Sequence, residues 1–166
     1  MTLPNALSCA RAILVAPVIW LTAFGHPEFA LGVFGLAALT DVVDGPLARR
    51  RLEVSPLGMF LDPLADKILI AGTLLALAVE GAASAWLVGI IVAREILAVE
   101  VRLRARGLAA RADGKAKTLF QTLATAALLA SLAWPAAGLA TLGAALLVIA
   151  TLLTVLSGVM LVRRAA

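Results

Sequence analysis

Charge is scarce in this chain. Only 14% of its 166 residues are Asp, Glu, Lys or Arg, where a soluble domain carries about 25%. An ordinary water-facing surface is therefore excluded. Cys9 is the single cysteine, so there is no internal disulfide framework, and in an apolar helix it is expected only to pack. His26 is the single histidine. Metal-binding histidines come in clusters, so an isolated one in a turn reads as a solvated loop residue. Aromatic residues are few, at 5%, and no basic helix alternates with them, which argues against a nucleic-acid partner. Heptads and repeats of 20 to 50 residues are also lacking, which excludes a coiled coil or a solenoid.

What the chain does have is apolar length. It is 63% hydrophobic with a mean hydropathy of +1.05. Apolar runs cover residues 5–25, 28–50, 57–79, 84–104, 114–134 and 137–162, each near the roughly 20 residues that cross a bilayer. The expected architecture is an all-α integral membrane protein of six transmembrane helices, with one domain over residues 1–166. Residues 1–4 read as a short interfacial lead, with Asn5 or Ser8 placed to cap the first helix. No small-residue cleavage site follows the first run, so it is expected to be retained. Gly25-His26-Pro27, Glu80-Gly81 and Pro135 mark the turns on one side. The many small residues of the last two runs suit close helix packing.

Basic residues are distributed unevenly. Under a six-span layout Arg49, Arg50, Arg51, Arg102, Arg104, Arg106, Arg111, Lys115, Lys117, Arg163 and Arg164 fall on one side, and the opposite loops hold only His26, Glu28 and Glu80. The positive-inside rule then places both termini in the cytoplasm of a multi-pass cell-membrane protein. The net charge of +4 and pI near 10.2 fit attraction to anionic lipid. Trp20, Trp86 and Trp134 fall near span ends and read as interfacial belt residues.

Against this apolar background four carboxylates stand out in DVVDGPLARRRLEVSPLGMFLDPLAD, residues 41–66. Asp41/Asp44 and Asp62/Asp66 are spaced three and four apart, so on helices each pair shares one face. Both pairs flank one short loop on the basic side. Carboxylates near membrane depth are costly and are by default functional. Four together repel one another and would take up protons unless cations neutralised them. Mg²⁺ suits such an oxygen-only donor set, above all where phosphates are also held. Gly45 and Ala48 follow Asp41 on the same face and leave a ligand room to approach the backbone. Arg49 adds a fork of donors matched to a phosphate or diphosphate, and Gly58 clears space one turn before Asp62. A small divalent-cation transporter is the competing reading, although no acidic partner lies toward the other face.

The pattern D-x2-D-G-x2-A-R-x8-G-x3-D-x3-D, here Asp41, Asp44, Gly45, Ala48, Arg49, Gly58, Asp62 and Asp66, resembles the signature of the CDP-alcohol phosphotransferases, with every spacing matched. The flanks LPNALSCAR, LDPLADK, REI at Arg94 and GKAKTLFQ at Lys115 look like its phosphatidylglycerophosphate synthase branch. These flanks spread the resemblance over most of the chain, and it implies a helical membrane bundle and a homodimer. It implies transfer of the phosphatidyl group of CDP-diacylglycerol to glycerol 3-phosphate with release of CMP, assisted by two Mg²⁺ or Mn²⁺ ions. Asp41 and Asp62 would bridge both ions, Asp44 would complete one site and Asp66 the other, with Asp66 also the general base. Gly45, Ala48 and Arg49 would hold the cytidine diphosphate with Gly58, Ser55 and Asn5. The family often has threonine where this chain has Ser55. Inositol phosphate or phosphatidylglycerol are the alternative acceptors.

A phosphate-bearing acceptor calls for cations. Arg94 lies inside a span and either serves that acceptor, pairs with Glu95 or reaches the interface. Lys115 and Lys117 are placed either for the acceptor or as membrane-face anchors. Lys67 directly follows the proposed base, about 100° around the helix from it, and either tunes the site or reaches the interface.

Overall fold

A computed structural model of the chain describes the backbone of residues 3–51, 56–104, 113–135 and 138–165, and the side chains of residues 9–40, 64–100, 116–135, 138–161 and 163. The described backbone forms six helices: α1 (Leu3–Ala23), α2 (Pro27–Arg51), α3 (Pro56–Val79), α4 (Ala85–Arg104), α5 (Asp113–Ala133) and α6 (Leu139–Ala165). Each matches one of the apolar runs to within a few residues.

Local chemistry sets the ends. α1 closes where Gly25 takes φ 78° and α3 where Gly81 takes φ 74°, a backbone region that side chains resist. His26 N–H then bonds the Leu21 carbonyl at 2.8 Å and Gly25 N–H the Thr22 carbonyl at 3.3 Å. Ala82 and Gly81 repeat this on Leu77 and Ala78, at 2.9 and 3.2 Å. Both are Schellman closures, which satisfy carbonyls the helix leaves open. Pro27 opens α2 at its first turn, as its fixed φ and missing N–H favour. At the N-terminus the helix already runs from Leu3. Asn5 and Ser8 are therefore within α1 rather than at its cap, and Leu3 and Pro4 of the expected interfacial lead already belong to the helix. Pro4 accounts for the shift, since proline is well tolerated in a first turn.

Helices α1, α2 and α3 pack together through α1, and α4 and α5 pack on α6. The two groups join where α2 meets α5 and where α3 meets α4 and α5. Phe34, Leu69, Leu74, Leu77, Ile91, Leu128 and Leu147 are fully buried between them. Glycine sets two close approaches. A Cβ at Gly72 would lie 2.7 Å from Val15 Cγ1, and one at Gly143 would lie 2.8 Å from Leu128 Cγ and 3.2 Å from its backbone nitrogen. The second cannot be relieved by a side-chain rotation. Gly143→Ala should therefore push α6 off α5 and cost about 1–3 kcal/mol, read as a lower midpoint of thermal unfolding in detergent.

The exterior is apolar and part of the interior is not. Trp86, Val79, Ile13, Leu36, Phe24, Leu97 and Leu152 are exposed, while Arg11, Thr73, Glu95, Lys117, Gln121 and Thr154 are buried. Apolar surface spread this widely is not tolerated in water. The buried threonines suit a lipid setting because Thr22, Thr73, Thr125, Thr151 and Thr154 each donate to the carbonyl four residues back, leaving no unpaired hydroxyl. Among the described residues, Ala116–Ala133 and Leu139–Leu161 are long and apolar enough to cross a bilayer, and Cys9–Ala23 and Pro27–Thr40 are shorter apolar stretches. Trp20, Trp86 and Trp134 are all exposed and lie at the end of the bundle that holds the Gly25 and Gly81 turns. His26 is also there, exposed and 3.8 Å from Glu28, the solvated turn residue its isolation implied.

Candidate active site

The helical backbone places Asp41, Asp44, Gly45, Ala48 and Arg49 in the last turns of α2, and Gly58, Asp62 and Asp66 in the first half of α3. Each acidic pair is thus one turn apart on a continuous helix. Four residues, 52–55, separate the two helices, so both pairs belong to the same end of the bundle. The side chains of Asp41, Asp44, Gly45, Ala48, Arg49, Gly58 and Asp62 lie outside the described residues, as do Ser55 and the side chains of Asn5 and Lys115. Asp66 is half-buried on α3. Among the described residues no group of three or more His, Cys, Asp or Glu side chains is arranged to hold a metal.

Directly after Asp66 in the chain begins a second charged group, centred on described side chains. Glu95 of α4 is buried, and three cations from three helices converge on its carboxylate. Lys67 of α3 places Nζ 3.0 Å from Oε2. Arg94 of α4 donates from Nη1 to Oε1 at 3.0 Å. Lys117 of α5 donates from Nζ to the same Oε1. The fourth element is α6, where Ser157 Oγ accepts from Arg94 Nη2 at 2.8 Å and itself donates to the Thr154 carbonyl at 3.0 Å. One turn deeper, Gln121 Nε2 donates to Thr154 Oγ1 at 3.1 Å.

This cluster removes the interface-reaching alternative for three side chains. Arg94 pairs with Glu95 instead of reaching the interface, and its side chain is only 12% exposed. Lys117, at 7%, is not a membrane-face anchor. Lys67 turns inward to Glu95, although it neighbours Asp66 in sequence. The centre of the cluster, Glu95, was visible in sequence only as a neighbour of Arg94. The signal that could have raised it is a carboxylate ten residues into an apolar helix, which is costly unless it is paired.

Charge arithmetic gives the cluster its character. Among the described residues three cations meet one carboxylate in a poorly solvated place, and removing such ions from water costs several kcal/mol each. Each cation is offset by the shared carboxylate and repelled by the other two. The described residues thus show a cationic cluster on α3, α4 and α5, whose Lys67 directly follows Asp66 in the chain.

An all-helical bundle with so apolar an exterior is a membrane-embedded protein. The chain belongs to the CDP-alcohol phosphatidyltransferase family, whose model matches residues 1–160. It is 36% identical over 146 residues to the CDP-diacylglycerol–glycerol-3-phosphate 3-phosphatidyltransferase of Bacillus subtilis, a match covering 76% of each chain. It is 35% identical over 173 residues to a probable phosphatidylglycerophosphate synthase of Mycobacterium tuberculosis, covering 98% of this chain and 81% of the relative. It is also 40% identical over 103 residues to the CMP-forming cardiolipin synthase of Streptomyces coelicolor, but that match covers 58% of this chain and 48% of the relative. The protein is thus a membrane phosphatidyltransferase, and the cation-transporter reading falls.

Proposed function

We propose that the enzyme transfers the phosphatidyl group of CDP-diacylglycerol to glycerol 3-phosphate, giving phosphatidylglycerophosphate and CMP. The observation that carries the choice of acceptor is the excess of positive charge around Glu95, adjoining Asp66. A small phosphomonoester matches three clustered cations. The names of the Bacillus and Mycobacterium relatives, which align over most of their lengths, support the same acceptor. The Streptomyces relative favours phosphatidylglycerol as the second reading, with the donor chemistry unchanged.

The four aspartates suit two hard divalent cations, Mg²⁺ or Mn²⁺, since every donor is a carboxylate oxygen. Asp41, Asp44, Asp62 and Asp66 would be the residues that hold them. Bound there, the ions would neutralise charge on the attacking and leaving oxygens of the phosphoryl transfer. The chain's own residues supply the rest. Arg49 grips the diphosphate, with Gly45, Ala48 and Gly58 leaving room for it and Ser55 and Asn5 as further contacts. Lys67, Arg94, Lys117 and Lys115 draw the acceptor phosphate to the side of Asp66. Asp66 takes the proton from the acceptor hydroxyl, whose oxygen bonds the phosphorus carrying the diacylglycerol. The bond from that phosphorus to the bridging oxygen breaks, and CMP leaves with it.

All six helices are assigned as spans, with both termini and the acidic pairs on the cytoplasmic side, where Arg49 to Arg51 lie. The small residues of α5 and α6 serve packing inside one chain, and a homodimer is assigned from the family alone. The lipid formed in vesicles loaded with CDP-diacylglycerol tests the reading. Addition of glycerol 3-phosphate should yield a lipid bearing one phosphodiester and one phosphomonoester. Formation of cardiolipin from added phosphatidylglycerol, with no product from glycerol 3-phosphate, would move the enzyme to the second reading.

A further inference from the structure

We infer that Glu95 is a positioning residue, which together with Ser157 and Gly158 of α6 holds Lys67, Arg94 and Lys117 in one prearranged receptor for the acceptor's phosphate. The inference rests on the proposed role of those cations in binding the acceptor. Its basis is geometric. Three long, flexible side chains reach one carboxylate from three separate helices, at 3.0 Å for Lys67 and Arg94 and in direct contact for Lys117. Without that anion the cations would repel one another and spread apart. Each would then have to be gathered again, at the cost of its rotamer freedom, whenever a phosphate arrived.

Helix α6 fixes the remaining degree of freedom. A Cβ at Gly158 would lie 3.2 Å from Arg94 Cγ and 3.3 Å from its Nε, so the Arg94 stem lies directly across that glycine. Ser157 Oγ holds Nη2 at 2.8 Å while Glu95 holds Nη1. The guanidinium is pinned on both forks, and its Nε–H has no acceptor among the described residues. A planar donor fork fixed in this way presents a constant face to a ligand. Glu95, Ser157 and Gly158 touch no reacting atom in this account. They act through the cations.

Steady-state kinetics of the purified enzyme in CDP-diacylglycerol vesicles separate this role from a merely structural one. Glu95→Gln should raise the KM for glycerol 3-phosphate at least about tenfold, as loss of a charge-assisted contact implies. The KM for CDP-diacylglycerol should move less than about twofold, since donor binding is not touched. Glu95→Asp, which keeps the charge, should recover part of the loss. Because Glu95→Gln leaves three cations facing one another and could fail to fold, Gly158→Ala is the second variant. It keeps every charge and only displaces Arg94, and should raise the acceptor KM about fivefold while sparing the donor KM. A wild-type acceptor KM in Gly158→Ala, or equal shifts for both substrates, would overturn the inference. So would a lower acceptor KM in Glu95→Gln, which would make Glu95 a competitor of the phosphate. If the wild-type enzyme does not use glycerol 3-phosphate at all, it is the proposed acceptor that has failed.

Discussion

Replacing Asp66 by asparagine should lower kcat about a thousandfold, the scale of a lost general base, while CDP-diacylglycerol still binds. The two side chains are nearly equal in shape, and α3 continues for more than three turns beyond this position, to Val79. Folding should therefore be little disturbed. What is lost is the oxygen that accepts the acceptor's proton, together with one charge of the acidic group. Asp66 is the one of the four aspartates that directly neighbours a residue of the cationic cluster, Lys67. In the proposed site it therefore adjoins the acceptor. Steady-state CMP release and equilibrium binding of CDP-diacylglycerol, measured on the same preparation, check both halves of the prediction. Turnover like that of the wild type would remove Asp66 as the base.

Chelation should be as severe. Treatment with EDTA should stop CMP release, and Mg²⁺ or Mn²⁺ added in excess should restore it. Two acidic pairs set one turn apart on α2 and α3 carry charges that oppose each other unless cations lie between them. The same linkage should appear without turnover. An ion that binds only the folded chain stabilises it by about 2.7 kcal/mol when present at one hundred times its dissociation constant. Mg²⁺ should then raise the unfolding midpoint of the wild type, and Asp62→Asn should remove most of that rise. Full activity in EDTA, with no effect of Mg²⁺ on unfolding, would contradict metal assistance.

The helices were legible in the sequence because their causes are local. Apolar runs near bilayer length gave their number, and Gly25, Pro27 and Gly81 gave their ends to within two residues. The start of α1 was misplaced because Asn5 and Ser8 were weighed as caps and Pro4 was not. The acidic signature was equally legible, since i+3 and i+4 spacing already sets register on a helix. The cationic half was legible only in part. Glu95 and Lys117 are 22 residues apart on helices whose rotation about their axes no spacing reveals. Nothing in the sequence alone separates a lysine that reaches the interface from one that turns inward to a carboxylate. Arg94 shows the same limit, for its partner Ser157 lies 63 residues away. Such contacts follow from how α4, α5 and α6 pack, and that packing depends on close approaches such as Gly143 on Leu128.

The most direct test of a two-part site, acidic for the metal ions and cationic for a phosphate-bearing acceptor, is CMP release with matched acceptors. Glycerol 3-phosphate, glycerol and phosphatidylglycerol would be offered in parallel at equal concentration, with CDP-diacylglycerol and Mg²⁺. Rapid release with glycerol 3-phosphate and little with the other two is the predicted result, because only the first brings a phosphomonoester to Lys67, Arg94 and Lys117. Equal release with glycerol, or release with phosphatidylglycerol alone, would contradict it.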